Sequence, residues 1–272
     1  MKITSPDNRH VKEARSLSRK KERGVTGKYL IEGVRLAEEA AASSVSLAYC
    51  LYTERVAAQP RGRRLLDRLA AAGVDCLEVD DRALATITET EQSQGIVLVA
   101  NLAPAHWEAV IAAPEPFLLI VDGVQDPGNL GTIIRTAEAA GVTGVLLTPG
   151  TVDPYGPKVI RGTMGALFRL PVATVPSAKG LAASLRERDI SLAVADARDG
   201  VPYFEAPWDR GSIAIVIGSE AHGPRPFWGD LAQLRVRIPL APPVESLNAA
   251  VAAAVLLFEA ARHRSVASTR GL

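Results

Sequence analysis

An α/β fold in two units is what this 272-residue sequence predicts. Three observations carry that expectation. Short apolar runs alternate with stretches of helical spacing along most of the chain. Two runs, Phe117–Asp122 and Ile213–Gly218, are apolar almost throughout, as in strands buried on both faces of a parallel sheet. Between the N-terminal third and the rest, Pro104, Pro114 and Pro116 bracket a stretch that reads as a linker over 104–116.

In chain order, Ser5-Pro6-Asp7 reads as a helix start, after which Lys12, Arg15 and Arg19 are expected on one face. Strands are expected at Lys28–Glu32, Leu47–Tyr52, 76–79 and 95–100, where β-branched, aromatic or continuous apolar residues cluster. Helices are expected between them at 34–42, 62–72 and 81–88. After the linker come the strand Phe117–Asp122, a loop and helix over 126–140, and a strand at 144–148. A helix at 178–189 and strands at Ser191–Ala195, Ile213–Gly218 and 234–239 follow. The last helix is expected over 246–264, with Ser246 as its N-cap and Arg262, His263 and Arg264 at the negative end of its dipole.

Composition narrows the function classes. Hydrophobic residues make up 47% and charged residues 22%, ample for a core. No run reaches the roughly 18 apolar residues of a membrane span. The N-terminus opens on charges instead of an apolar signal core, so a cytoplasmic protein is expected. Cys50 and Cys76 lack metal spacing; two isolated buried thiols are expected, with a disulfide between them as the alternative. The four histidines, His10, His106, His222 and His263, are scattered, and no metal site is expected.

The net charge of +1 conceals an asymmetry: residues 1–35 hold ten Lys/Arg against four acids, leaving −5 for the remainder. Cations gathered at one end suit a polyphosphate partner, since each neutralised phosphate releases counterions. A solvated basic helix is the plainer reading of the same charges.

The familiar nucleotide and hydrolase signatures fail. The glycines at 123, 128 and 131 have the wrong spacing for G-x-G-x-x-G, and Gly27-Lys28 has Glu22 where a P-loop needs glycine. Gly218-Ser219 is not part of a G-x-S-x-G elbow. Asp153-Pro154-Tyr155 echoes the Asp-Pro-Pro-Tyr tetrad of amino-group methyltransferases but lacks its second proline, and reads as a turn.

Three other segments remain. Asp126-Pro127-Gly128-Asn129-Leu130-Gly131 leads to Arg135; Ile217-Gly218-Ser219-Glu220-Ala221-His222-Gly223 follows a buried strand; Ile238-Pro239-Leu240 precedes Glu245-Ser246-Leu247-Asn248. Taken singly, each has a bland reading as turn former, surface cation or helix cap. A Gly-rich turn after a parallel strand also lies where α/β folds bind ligands, outside the carboxyl ends of the strands. In this order and spacing the segments resemble the three motifs of the SpoU/TrmH family of RNA ribose 2′-O-methyltransferases, in the knotted SPOUT superfamily. Lys158, Arg161, Gly165 and Phe168-Arg169-Leu170-Pro171 resemble the family's intervening link. The chain departs from the pattern at Ala221-His222 and at Pro242-Pro243.

The resemblance implies a SPOUT trefoil-knot methyltransferase domain with a parallel sheet at 117–264. It also implies an L30e-like substrate-binding domain at 1–103 and a tail at 265–272. The implied methyl donor is S-adenosylmethionine, held by groups around Thr148, Gly218, Ile238, Leu240 and Leu247, with no metal. Asn129, Arg135, Glu220, Ser246 and Asn248 fill the family's catalytic positions. Arg9, Lys12, Arg15, Arg19, Lys20, Lys158 and Arg161 are the implied RNA contacts. A guanidinium stays protonated, so Arg135 is expected to stabilise the reacting oxygen instead of acting as base. The family is homodimeric, its site completed across two chains. Ribosomal RNA, 23S in particular, is the expected substrate; transfer RNA, or RNA binding without catalysis, are the alternatives. With all three segments beyond Phe117, a fragment starting there is expected to bind the donor.

Overall fold

The computed structural model describes residues 2–88, 93–196, 199–209 and 211–270. The chain forms two compact units, and the division does not follow sequence order. One comprises the chain up to Ala103 together with Asp153–Arg169; the other comprises Pro104–Val152 and the chain from Leu170 onward.

The first unit runs α1 (Arg9–Ser16), α2 (Lys20–Thr26), β1 (Lys28–Glu32), α3 (Val34–Ala41), β2 (Leu47–Tyr52), α4 (Glu54–Ala57), α5 (Pro60–Ala71), β3 (Asp75–Glu78), α6 (Asp81–Ala85) and β4 (Ile96–Asn101). Its strands order as β1-β4-β2-β3, antiparallel except for the parallel pair β2–β3. Apolar side chains from α1, the Leu17 that ends it and α6, among them Val11 and Leu84, fill one core, and Leu36, Leu65 and Leu69 of α3 and α5 contribute to the other. Asn8, not Ser5, starts α1: its side chain accepts from His10 N at 2.9 Å, while Ser5 Oγ accepts from Asp7 N in the preceding turn. The helix ends at Ser16, so Arg19 leaves the face shared by Arg9, Lys12 and Arg15 and becomes the N-cap residue of α2. Cys50 and Cys76 are not isolated; they are register partners on β2 and β3, both free thiols, and only Cys50 is fully buried.

The second unit continues with α7 (Trp107–Ile111), β5 (Phe117–Asp122), α8 (Pro127–Ala139) and β6 (Gly144–Leu147). The chain then contributes α9 (Pro157–Thr163) and a 3-10 turn at Ala166–Phe168 to the first unit. It returns as β7 (Val172–Thr174), α10 (Ala178–Glu187), β8 (Ser191–Ala195), β9 (Val201–Pro202), β10 (Ile213–Gly218), α11 (Pro226–Leu231), β11 (Leu234–Arg237) and α12 (Ala249–Arg270). Among the described residues the sheet is β7-β6-β5-β10-β8-β11-β9, parallel at every pairing. The two continuous apolar runs are its centre: β5 and β10 pair from Phe117↔Ile213 to Asp122↔Gly218, and every residue of both is buried.

Three expectations are corrected here. The stretch 104–116 is not a bare linker, because Val110 and Ile111 of α7 are buried in the sheet's core. Gly128, Asn129 and Gly131 are not in a loop; Asp126 caps α8 by accepting from Asn129 N at 2.8 Å, and Pro127 opens the helix. The last helix is capped by Asn248 instead of Ser246, its Oδ1 accepting from Ala250 N at 2.9 Å, and it runs on to Arg270. No helix among the described residues is long and apolar enough to cross a membrane.

Candidate active site

Because β5 and β10 are parallel neighbours, their C-terminal ends open side by side although 91 residues separate Asn129 from Glu220. This is also where the connections from β5 diverge, one side leading to β6 and the other side occupied by β10, the position at which open parallel sheets hold ligands. Asn129 donates from Nδ2 to Glu220 Oε1, and its Oδ1 accepts from Asn248 Nδ2 at 2.9 Å. Three residues from three segments thereby form one hydrogen-bonded chain. Asn248 does two jobs with one amide, capping α12 with its oxygen and orienting Asn129 with its nitrogen.

Beside this chain is a cleft of about 1170 Å³. Gly218, Glu220, Ile238, Leu240, Ser246 and Leu247 line it, so four of the five expected donor-binding positions and two of the expected catalytic ones are gathered there. Thr148 does not line it. The residue is buried at the end of β6, donating to the Asp122 carboxylate at 2.7 Å. Gly218 is required for a reason other than ligand approach. A Cβ there would lie 1.9 Å from Gly223 C and Pro224 N, so the chain's own backbone fills the space. Bulk at 218 therefore displaces the loop, and Gly218→Val is expected to disturb the turn itself as well as donor binding.

Arg135 stands apart. It is exposed on α8 and makes no hydrogen bond or ion pair among the described residues. Six residues beyond Asn129 in the same helix, it is turned by roughly 240° at 3.6 residues per turn, off the face that Asn129 presents to Glu220.

Sequence reasoning missed Asp122 and Arg225. Asp122 ends β5, is 3% exposed, and accepts from Arg225 N at 2.8 Å, from Arg225 Nε at 2.9 Å and from Arg225 Nη2 as well. The carboxylate ties together the ends of β5 and β6 and the loop that carries Glu220. Burial pushes its carboxyl up, but the Arg225 guanidinium, the Arg225 N–H and the Thr148 hydroxyl outweigh burial and hold it below the ordinary carboxylate range. A depressed carboxylate contributes stability that is full above its unfolded value, about 3.9, and lost as pH falls through the lower folded value. Melting of the parent is therefore expected to drop more steeply below about pH 4 than melting of Asp122→Asn. Parallel pH profiles would exclude that contribution. A polar residue ending an otherwise apolar buried strand was the available signal for Asp122; Arg225 had none.

Of the expected RNA contacts, Arg9, Lys12, Arg15, Arg19, Lys20 and Lys158 are exposed. Lys12 pairs with Asp7 at 3.0 Å, and Arg161 with Glu32 at 3.4 Å. Two further cations of the basic N-terminus are structural. Arg23 is buried and bonds Asp153 at 2.5 Å and Leu17 O at 2.7 Å, and Lys28 pairs with Glu13 at 2.7 Å. Among the described residues no group of three or more His, Cys, Asp or Glu side chains is placed to hold a metal ion.

A parallel sheet with a polar, partly glycine-lined cleft at its carboxyl edge is the architecture of an α/β enzyme that holds its ligand at the strand ends. The sequence model of the SpoU rRNA methylase family matches residues 116–258, and that of an MRM3-like substrate-binding domain matches residues 8–98. The chain is 36% identical to the 23S rRNA (guanosine(2553)-2′-O)-methyltransferase RlmP of Bacillus subtilis, covering 94% of this chain and 97% of that one. The fold is similar to an S-adenosylmethionine-bound rRNA methyltransferase from Sinorhizobium meliloti (TM-score 0.87, 30% identity, 97% and 98% of the two chains). It is also similar to the SpoU methyltransferase AviRb of Streptomyces viridochromogenes in complex with the same cofactor (TM-score 0.84, 26% identity, 95% and 98%). The chain belongs to the SpoU rRNA methylase family, and is an RNA methyltransferase.

Proposed function

We propose that the protein transfers a methyl group from S-adenosylmethionine to a ribose 2′-hydroxyl of ribosomal RNA, with 23S rRNA as the substrate. The observation that carries this reading is the Asn248–Asn129–Glu220 hydrogen-bonded chain at the edge of the cleft. It holds one polar side chain from each of the three motif segments in a fixed geometry beside the cleft.

The residues present fit the donor. Ile238, Leu240, Leu247 and Leu256 offer apolar surface for a base, and the 217–224 strand end and loop offers backbone groups alongside. When bound there, S-adenosylmethionine supplies a methyl on a sulfonium, open to in-line displacement. The O–C bond formed would replace the C–S bond, leaving S-adenosylhomocysteine, and the chain's task is to position the ribose oxygen and to stabilise the charge that develops as its proton passes to water. Asn129, fixed at both ends of its amide, and Glu220, with Ser246 and Asn248, orient the ribose; Arg135 holds the adjacent phosphate and the developing alkoxide.

A homodimer belongs to the same reading. Val251, Val255 and Phe258 fall on one face of α12, with Val251 and Phe258 about half exposed, and Arg135 does not reach the trio of its own chain. The knotted topology, an L30e-like first unit and a cytoplasmic site of action belong to the same proposal. The first unit serves to grip RNA, using the cations of α1 and of the α2 start.

Transfer of labelled methyl groups to deproteinised 23S rRNA, followed by mapping of the 2′-O-methyl, tests the proposal. Incorporation into transfer RNA alone, or none into any RNA, would reject it. Neutralising Arg9, Lys12, Arg15, Arg19 and Lys20 together is expected to weaken RNA binding and to lower the log–log salt slope by roughly three to five. Donor affinity should be unchanged. An unaltered slope would make this face merely solvated.

A further inference from the structure

Arg225 lines the cleft and is 41% exposed in its side chain, although the carboxylate it serves is buried. The Nε–Nη2 edge of its guanidinium is committed to Asp122, with Nε 2.9 Å from Oδ1. Its backbone N–H binds the other oxygen of the same carboxylate at 2.8 Å, and the Phe227 ring lies 5.7 Å from its guanidinium carbon. The side chain is thus fixed along its length. Nη1, with two N–H donors, has no partner among the described residues. If pinning the loop were its whole purpose, the ion pair could be closed over. Instead an oriented cation stands open to the ligand's space, with its geometry set in advance by a buried anion.

We propose that Arg225 is an anion-binding residue of the cleft, with Asp122 and Thr148 holding its guanidinium so that Nη1 meets a bound carboxylate or phosphate. This rests on the methyltransferase reading. Two anions come with it, the methionine carboxylate of the donor and a phosphodiester of the RNA. Arg235 and Arg237 also line the cleft but sit at its β11 side, each donating to a backbone carbonyl, of Gly229 and Gly200 respectively.

Calorimetry on the full-length protein with S-adenosylmethionine and its decarboxylated analogue, and salt-dependent binding of deproteinised 23S rRNA, separate the possibilities. Arg225→Gln and Arg225→Lys are compared with the parent, the lysine retaining the charge opposite Asp122 should the glutamine variant fold poorly. If the anion is the donor's carboxylate, both variants lose about tenfold or more in affinity for S-adenosylmethionine. They bind the decarboxylated analogue as the parent does. If it is an RNA phosphate, donor affinities stay and the salt slope of RNA binding falls by about one for Arg225→Gln and is kept by Arg225→Lys. Equal losses for both donors would reduce Arg225 to a loop pin and overturn the proposal, as would no change in either assay. A parent that binds neither donor nor RNA would instead reject the methyltransferase reading itself.

Discussion

Arg135→Ala is expected to remove nearly all turnover, on the order of 10²–10³-fold in kcat, while leaving S-adenosylmethionine affinity within a few-fold. The side chain is exposed and makes no hydrogen bond or ion pair among the described residues that the change could break, so folding should be untouched. Arg135→Lys is expected to be poor too, because an ammonium lacks the planar fork that spans a phosphate and an adjacent oxygen. For the proposed homodimer, mixed dimers decide where the arginine acts. If it works across the dimer, combining Arg135→Ala chains with Asn129→Ala chains recreates one intact site per mixed dimer, and about a quarter of parental activity returns at statistical mixing. If it works within its own chain, every site carries one lesion and no activity returns. Retention of most activity by Arg135→Lys would show that a point charge suffices.

The second large effect is on stability. Removing residues 1–116 leaves every motif in place, yet the remaining chain is expected to lose cooperative folding. Ile160 and Phe168 are buried in the first unit's core, and Val110 and Ile111 in the second's, so the cut exposes the first pair and deletes the second. At about 1.5–3 kcal/mol for each buried apolar side chain, the loss approaches a domain's whole stability of roughly 5–15 kcal/mol. Thermal melting by circular dichroism is the measurement. A fragment beginning at Pro104, with 153–169 replaced by a short Gly/Ser connection, should melt cooperatively where the simple truncation does not. A sharp melt for the simple truncation, near that of the parent, would contradict this assignment of the two cores.

The periodic elements were legible in the sequence, and for a physical reason. Runs such as Lys28–Glu32, Leu47–Tyr52, Phe117–Asp122, Ser191–Ala195 and Ile213–Gly218 have the boundaries expected, because strands buried in a sheet carry their burial in their composition. Short pieces such as α2, α9 and β9 were not, since two to seven residues hold too little periodicity and depend on their neighbours. Helix starts were misplaced where two capping residues stood close together. Ser246 and Asn248 compete for one end, and only the fold settles which amide reaches the first turn. Within the site, Asn129, Glu220 and Asn248 could be named from their motifs, but their hydrogen bonds depend on β5 lying beside β10, which no local pattern encodes. Arg225 was invisible because its partner lies 103 residues away.

The excursion of Asp153–Arg169 into the first unit bears on the order in which the chain matures during synthesis. The ribosome completes residue 103 well before residue 169, so the four-stranded sheet emerges with one face still lacking Ile160 and Phe168. At 5–20 residues per second, that face waits roughly 3 to 13 s for the chain that covers it. By then β5, α8 and β6 have also been made, and two of the second sheet's seven described strands exist while β10, the partner of β5, is still to come. Neither unit closes early; the first is sealed by chain that belongs, in sequence, to the middle of the second.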